Sequence, residues 1–236
     1  MLNQTLYPAI FQRKSIRSYS DVPLSPEQLG EIKAEIAAVQ SLLPGERFQL
    51  ELAPAKGGWR IFGYCEDTPL GNVNLGYVLQ QLDLSLFLKG YGRLWYGFGR
   101  DPRAGHAQPG LSYAMCLKVG NAAEPLAREI DAFDRKDITE VAEPVATAFE
   151  AVRLAPSAMN SQPWKFMKEG DAYHVFCIKP GIKKIVGLGR MNQVDIGICL
   201  CHAALGFGQE GKAICPQSLE KIEAPAGYYY VLSLEV

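Results

Sequence analysis

The stretch Val73–Gly90, VNLGYVLQQLDLSLFLKG, returns in outline 121 residues later as Val194–Gly211, VDIGICLCHAALGFGQEG. Val73/Val194, Gly76/Gly197, Leu79/Leu200, Leu84/Leu205 and Gly90/Gly211 are identical, and Asn74/Asp195 and Leu75/Ile196 are close. The first stretch is hydrophobic nearly all round and the second is again apolar. Such a pattern predicts helices buried on most sides, over about Asn72–Lys89 and Met191–Gln209, rather than helices with one apolar stripe.

The surroundings of the two helices also repeat. Before the first, Phe48–Ala53 and Arg60–Cys65 read as short strands; after it come strands at Leu94–Gly97 and Ser112–Val119, separated by a Gly/Pro-rich irregular segment, Asp101–Gly110. Before the second, a helix near Ile138–Leu154 leads to strands at Trp164–Lys168 and Tyr173–Ile178; after it come Ala213–Gln217 and Tyr228–Leu234. Two further helices precede all of this. One runs from Gln4 to about Arg13, with Leu6, Ile10 and Phe11 as its apolar face. The other opens at Ser25-Pro26-Glu27-Gln28, where Ser25 is the N-cap, Pro26 suits the first helical position and Gln28 completes a capping box. Leu29, Ile32, Ile36 and Val39 keep its helical spacing. This order predicts an α+β fold with antiparallel-rich central sheets flanked by helices. It reads as a single unit over 1–236, made of two similar halves, about 21–120 and 137–236, that need each other to close one core.

Composition narrows the function. The chain has 236 residues, of which 48% are apolar and 21% charged, enough for a sizeable core and too apolar for disorder. Its 24 basic and 25 acidic side chains lack the basic excess of a nucleic-acid binder. No apolar run reaches the roughly 18 residues of a membrane span. The N-terminus has no leader pattern, so the chain reads as cytoplasmic. Six cysteines stand at 65, 116, 177, 199, 201 and 215, without C-x-x-C spacing, and three scattered histidines make no zinc pattern. They read as buried free thiols.

Three patches carry chemistry. Arg13-Lys14-Ser15-Ile16-Arg17 puts three cations and a hydroxyl within one short stretch, a set that can clamp a phosphate. Pro156-Ser157-Ala158-Met159-Asn160-Ser161-Gln162-Pro163-Trp164 joins a helix to a strand. Its small residues admit a flat ligand, and Asn160 and Gln162 can read polar edges. Arg135-Lys136 is a second basic pair; by itself it is also compatible with an ordinary solvated surface.

Together these residues resemble the nitroreductase family of flavin enzymes: R-[RKH]-S-x-R near the N-terminus, P-S-x-x-N-x-Q-P-W, a D-x-G helix (Asp195-Ile196-Gly197) and a strand ending in a glycine loop at Gly97. The resemblance spans Arg13 to about Gly211. It implies a nitroreductase-like fold and FMN as cofactor. It also implies an FMN-dependent oxidoreductase in which a hydride passes from NAD(P)H, via the flavin N5, to a small organic acceptor such as a nitroaromatic or quinone. Some relatives cleave the flavin or dehalogenate a substrate, and a flavin-binding or storage protein without catalysis is a further reading.

Carried over residue by residue, the resemblance implies that Arg13, Lys14 and Ser15 hold the phosphate and ribityl end, with Arg135 and Lys136 adding charge. Arg17 would lie near the N1–C2=O edge, Pro156, Ser157 and Asn160 would line the ring, and the Gly97 N–H would face N5. No side chain is implied as an acid–base catalyst. The order departs from ordinary members, because the arginine motif lies in the first half and the P-S-x-x-N motif in the second. In place of small residues, the first half has Leu43-Pro44-Gly45-Glu46-Arg47. The order resembles two nitroreductase-like halves fused as an internal pseudo-dimer, with one flavin per chain between them. Such a chain can bind its flavin as a monomeric pseudo-dimer or as a homodimer.

Overall fold

The computed structural model describes residues 2–96, 106–179 and 188–236. A 3-10 helix over Gln4–Phe11 leads to α1 (Pro26–Ala38), the hairpin of β1 (Phe48–Ala55) and β2 (Gly58–Cys65), α2 (Pro69–Leu88), β3 (Gly92–Tyr96) and β4 (Ser112–Gly120). Then come α3 (Ile138–Val141), β5 (Ala142–Glu143), α4 (Phe149–Arg153) and the hairpin of β6 (Trp164–Glu169) and β7 (Ala172–Ile178). The chain ends with α5 (Leu188–Gln209), β8 (Cys215–Gln217) and β9 (Tyr228–Glu235). The fold is α+β, with antiparallel sheets and flanking helices, as the sequence predicts. Among the described residues no helix is long and apolar enough to cross a membrane.

One sheet has the strand order β1-β2-β4-β3, and the other β5-β6-β7-β9-β8. With the short parallel β5 set aside, the second order matches the first strand for strand. Even the bulges correspond, one at Gly63/Tyr64 between β2 and β4, the other at Val175/Phe176 between β7 and β9.

Helices α2 and α5 pack on each other at the centre. Thr68 caps α2, its hydroxyl accepting from Gly71 N at 2.8 Å, and Pro69 fills the first turn. Past that turn α2 is mostly apolar and nearly all of it is buried, its polar Asn72, Asn74, Gln80, Gln81 and Asp83 included. Two glycines set the approach. A Cβ on Gly76 would stand 2.1 Å from the Val194 carbonyl oxygen, and one on Gly197 would stand 1.9 Å from that of Val73. The contact is reciprocal: each glycine meets the carbonyl of the valine three residues before the other glycine. Asn72 and Gln193, also 121 residues apart, hydrogen bond directly at 3.0 Å.

The Ser25 capping box on α1 is present as predicted. Two helices differ from expectation. The first is a 3-10 helix with Pro8 inside it, a residue that cannot donate to an α-helical ladder. The helix expected over Ile138–Leu154 is broken into α3 and α4, with β5 between them, because Pro144 ends any helical run before it. Of the Asp101–Gly110 segment, residues 106–110 are described and carry neither helix nor strand. All six cysteines are free; five are buried as predicted, and Cys215 is exposed.

The glycine contact predicts an asymmetry in stability. Gly197→Ala should cost about 3 kcal/mol or more, because the new methyl meets backbone that cannot rotate away. Gly30→Ala, in the middle of α1 with open space around its Cβ, should gain about 0.5–1 kcal/mol. Chemical denaturation midpoints of the two variants check both signs.

Candidate functional site

The segment after α4 makes a tight turn over Ala158–Asn160 that L residues rarely adopt. Met159, Asn160 and Gln162 have φ of 52°, 56° and 46°, in the left-handed region. Each neighbour holds it. Asp195, on α5, accepts from Ala158 N at 3.1 Å with both carboxylate oxygens. The Ser157 hydroxyl accepts from Gln162 N at 2.9 Å. Gln162 is buried, and its Oε1 accepts from Lys136 N at 2.8 Å. The amide expected to read a ligand edge is therefore spent inside the protein.

Above this turn lies a partly enclosed cavity of about 210 Å³. Ser15 and Arg17 line it from the N-terminal motif, and Pro156, Ser157 and Met159 from the turn. Leu94 and Trp95 come from β3, an edge strand, and Met191, Asp195 and Ile198 from α5. The walls are thus largely apolar with a few polar groups, the make-up of a small-molecule site. The Trp95 indole N–H is buried without an acceptor among the described residues. Burial pushes the Asp195 carboxyl up to about 8, against the lowering effect of the Ala158 N–H.

Next to the cavity three guanidiniums converge. Arg13 Nη2 donates to Ser15 Oγ at 3.4 Å. Arg135 Nη1 donates to Asn160 Oδ1 at 2.7 Å, while Asn160 Nδ2 donates to Asp134 O at 3.0 Å. Arg128 and Arg135 share the Phe133 ring, at 3.5 and 5.5 Å from its centroid. Arg128 N donates to Gln12 O at 2.8 Å, which joins its segment to that of Arg13. Burial first, then the charges of Arg128 and Arg13, bring Arg135 down to about 10. The Nε atoms of Arg128 and Arg135 are buried without a hydrogen-bond acceptor among the described residues. Arg128 joins the candidate residues by position; a single arginine in an irregular segment is not a signal that the sequence candidates include.

The remaining candidates fall elsewhere. Lys14 pairs with Glu124 at 2.9 Å and does not line the cavity. Glu124 also accepts from Arg17 N and Ser18 N, and these bonds with Lys14 bring its carboxyl down to about 2. Lys136 Nζ donates to Gln162 O at 2.8 Å, so it buttresses the turn. Gly97 lies outside the described residues. Arg13 is 2% exposed, not the solvated side chain of a surface clamp: its Nε is 3.0 Å from Asp83 Oδ2, and Asp83 also pairs with buried Arg93 at 3.2 Å.

A family described as "Putative TM nitroreductase" matches residues 5–207. No curated protein matches the chain. Among solved structures, a protein of Thermotoga maritima described as a putative nitroreductase is similar at 22% identity over 98% of this chain and 93% of its own, with a TM-score of 0.67. A shorter protein of Parabacteroides distasonis, described as a putative NADH dehydrogenase/NAD(P)H nitroreductase, shares 16% identity over 59% of this chain and 97% of its own, with a TM-score of 0.45.

The buried carboxyl predicts a pH effect on stability. The folded chain keeps a proton on Asp195 that the unfolded chain releases near pH 4, the ordinary carboxylate range. Between there and about pH 8 the folded state binds more protons, so this group's contribution to stability falls as pH rises, and levels off above that window. Asp195→Asn cannot ionise and still offers an acceptor to Ala158. Its stability relative to wild type should therefore improve from about pH 5 to about pH 8.5. Equal pH dependence of the two denaturation midpoints would return Asp195 to an ordinary carboxylate.

Proposed function

Since the chain belongs to this nitroreductase family, we propose that it is an FMN-dependent oxidoreductase whose cavity takes the flavin ring and whose arginine cluster takes the phosphate. The observation that carries the reading is the cluster itself. Three buried or half-buried guanidiniums repel one another beside an apolar cavity, and the Nε atoms of two of them, Arg128 and Arg135, lack an acceptor among the described residues. A phosphate dianion satisfies them, and a single terminal phosphate suits FMN better than FAD. Arg13, Arg128, Arg135 and Ser15 would hold that end, and Asn160 holds Arg135 toward it. Ser157, Pro156, Leu94 and Trp95 would bracket the ring, and Arg17 would supply a cation at the ring end. Bound FMN supplies two-electron chemistry, from NAD(P)H to a small acceptor such as a nitroaromatic or quinone.

We read the chain as an internal pseudo-dimer with one such site. The common strand order and the reciprocal glycine contact support two equivalent halves. At the place equivalent to Asp195 stands Asn74, whose Oδ1 accepts from Leu42 N and Leu43 N at 3.0 Å and whose Nδ2 donates to Glu46 O at 3.0 Å. The same helix position thus ties down a loop in both halves, but in the first half the loop carries Leu43, Pro44 and Glu46, which suit a ring poorly.

Apoprotein titrated with FMN should saturate at a single equivalent per chain, and cofactor released from purified protein should chromatograph as FMN. Arg135→Ala should weaken FMN binding by about 1.5–3 kcal/mol with the fold intact. Arg13→Ala is not a clean test, because it leaves Asp83 buried with one partner fewer and should cost stability on the scale of a broken buried pair, about 3 kcal/mol. Two equivalents of FMN, or unchanged affinity in Arg135→Ala, would overturn the assignment.

The cation at Arg17 also predicts a redox effect. Arg17→Glu should lower the flavin midpoint potential, because the anionic reduced ring loses a nearby positive charge. Spectroelectrochemical titration giving equal potentials for variant and wild type would remove Arg17 from the ring end.

A further inference from the structure

A second, larger hollow of about 590 Å³ adjoins the cavity, and Arg17 lines both. Its walls are the segment after Arg17, the tip of the β1–β2 hairpin and the end of β4. Its charges are unusual. Lys118, on β4, faces Arg60, on β2, directly across the strands, a like-charge pairing that opposes sheet formation. Lys118 is half-buried, sits 3.8 Å over the Tyr19 ring and has no carboxylate partner among the described residues. Burial and the charge of Arg60 both lower its affinity for a proton. The Arg60 Nε is buried without an acceptor, and the Arg17 guanidinium has no acidic partner among the described residues. Asp21 is the only acid among the lining residues, and half-buried Trp59 offers an aromatic surface beside the flat Gly57-Gly58 turn.

We propose that this groove seats the adenosine-phosphate half of the nicotinamide donor and directs its reactive end past Arg17 into the cavity. The inference rests on the oxidoreductase reading above. Cations held without counter-charge favour an anion, and Lys118 and Arg17 supply them from the lining, while Arg60, seated over the Tyr96 ring, adds like-charge repulsion on Lys118 from the neighbouring strand. Trp59 gives a purine ring a stacking surface. Asp21 can accept from ribose hydroxyls, as acidic residues do in dinucleotide sites. The hollow is also nearly three times the size of the cavity, room that a small acceptor does not need. The chain lacks a G-x-G-x-x-G turn after a strand, so a donor bound here would be held by side chains rather than by a helix N-terminus.

Two measurements on the full chain test this. In calorimetric titration with ADP, wild type should bind, and Lys118→Ala and Trp59→Ala should each weaken binding by about tenfold, the loss expected for one charged hydrogen bond or one stacked base. In steady-state assays, Lys118→Ala should raise KM for NADH and NADPH by about tenfold with flavin content and kcat unchanged, and Lys118→Arg should restore it. N-benzyl-1,4-dihydronicotinamide, a donor without adenosine or phosphate, should reduce wild type and Lys118→Ala equally. Reduction by that donor in a wild type that does not hold ADP would overturn the groove and leave the oxidoreductase reading standing. ADP binding lost in Lys118→Ala, in a chain that takes up no FMN, would count against the oxidoreductase reading alone. An effect of Lys118→Ala confined to carboxylate-bearing acceptors, with the KM for NADH and NADPH unmoved, would give the groove to the acceptor and overturn the proposal.

Discussion

The close approach of α2 and α5 at Gly76 and Gly197 is the constraint on which the other parts depend. Each glycine lets the opposite backbone come within a distance that any side chain would forbid. That contact brings the two sheets to opposite sides of one helix pair. It also puts the N-terminal segment, which packs on both helices, beside the turn after α4. Without it, Ser15 and Arg17 could not share a cavity with Pro156 and Ser157. The site is therefore a product of long-range packing, and neither half of the chain carries it alone.

Two buried carboxylates then position the two motifs. Asp83, on α2, pairs with Arg13 and with Arg93, whose Nη2 donates to Lys14 O at 2.9 Å, so the arginine motif is fixed by both side chain and backbone. Asp195, on α5, fixes the left-handed turn through Ala158 N. The environments differ, and so do the charges. Asp83 sits between two guanidiniums, whereas Asp195 has a single backbone donor and apolar walls, and burial holds its proton into the neutral range. One carboxylate thus anchors cations and the other anchors a strained turn.

Much of this was legible in sequence. The repeat found both central helices, and alternation and turn residues found both hairpins. The P-S-x-x-N-x-Q-P-W pattern marked the segment beside the cavity, though not its left-handed backbone, and Ser25-Pro26-Glu27-Gln28 marked the capping box of α1. What stayed hidden is mostly the identity of distant partners. Nothing near Arg13 announces Asp83, nor anything near Lys14 that Glu124 will claim it. Arg128 joins the cluster only because Phe133 and Gln12 bring it there. Pro144 is different: it stands in the middle of the expected Ile138–Leu154 helix, and its missing N–H could be read without a structure.

The differences between the halves carry the functional argument further than their likeness. Asn74 and Asp195 occupy equivalent helix positions and both bind loop N–H groups, but Asn74 holds four loop partners and Asp195 one. The more heavily tied loop is filled with leucine and proline, and the more lightly tied one borders a cavity. An amide cannot ionise, and its hydrogen bonds to the loop offset the cost of burying Asn74 between that loop and a helix. A carboxyl with a single donor does face the cost of ionising in apolar surroundings, and burial holds its proton instead. The two sheets share one strand order, and the asymmetry at this one helix position separates a loop that fills space from a loop that leaves it open.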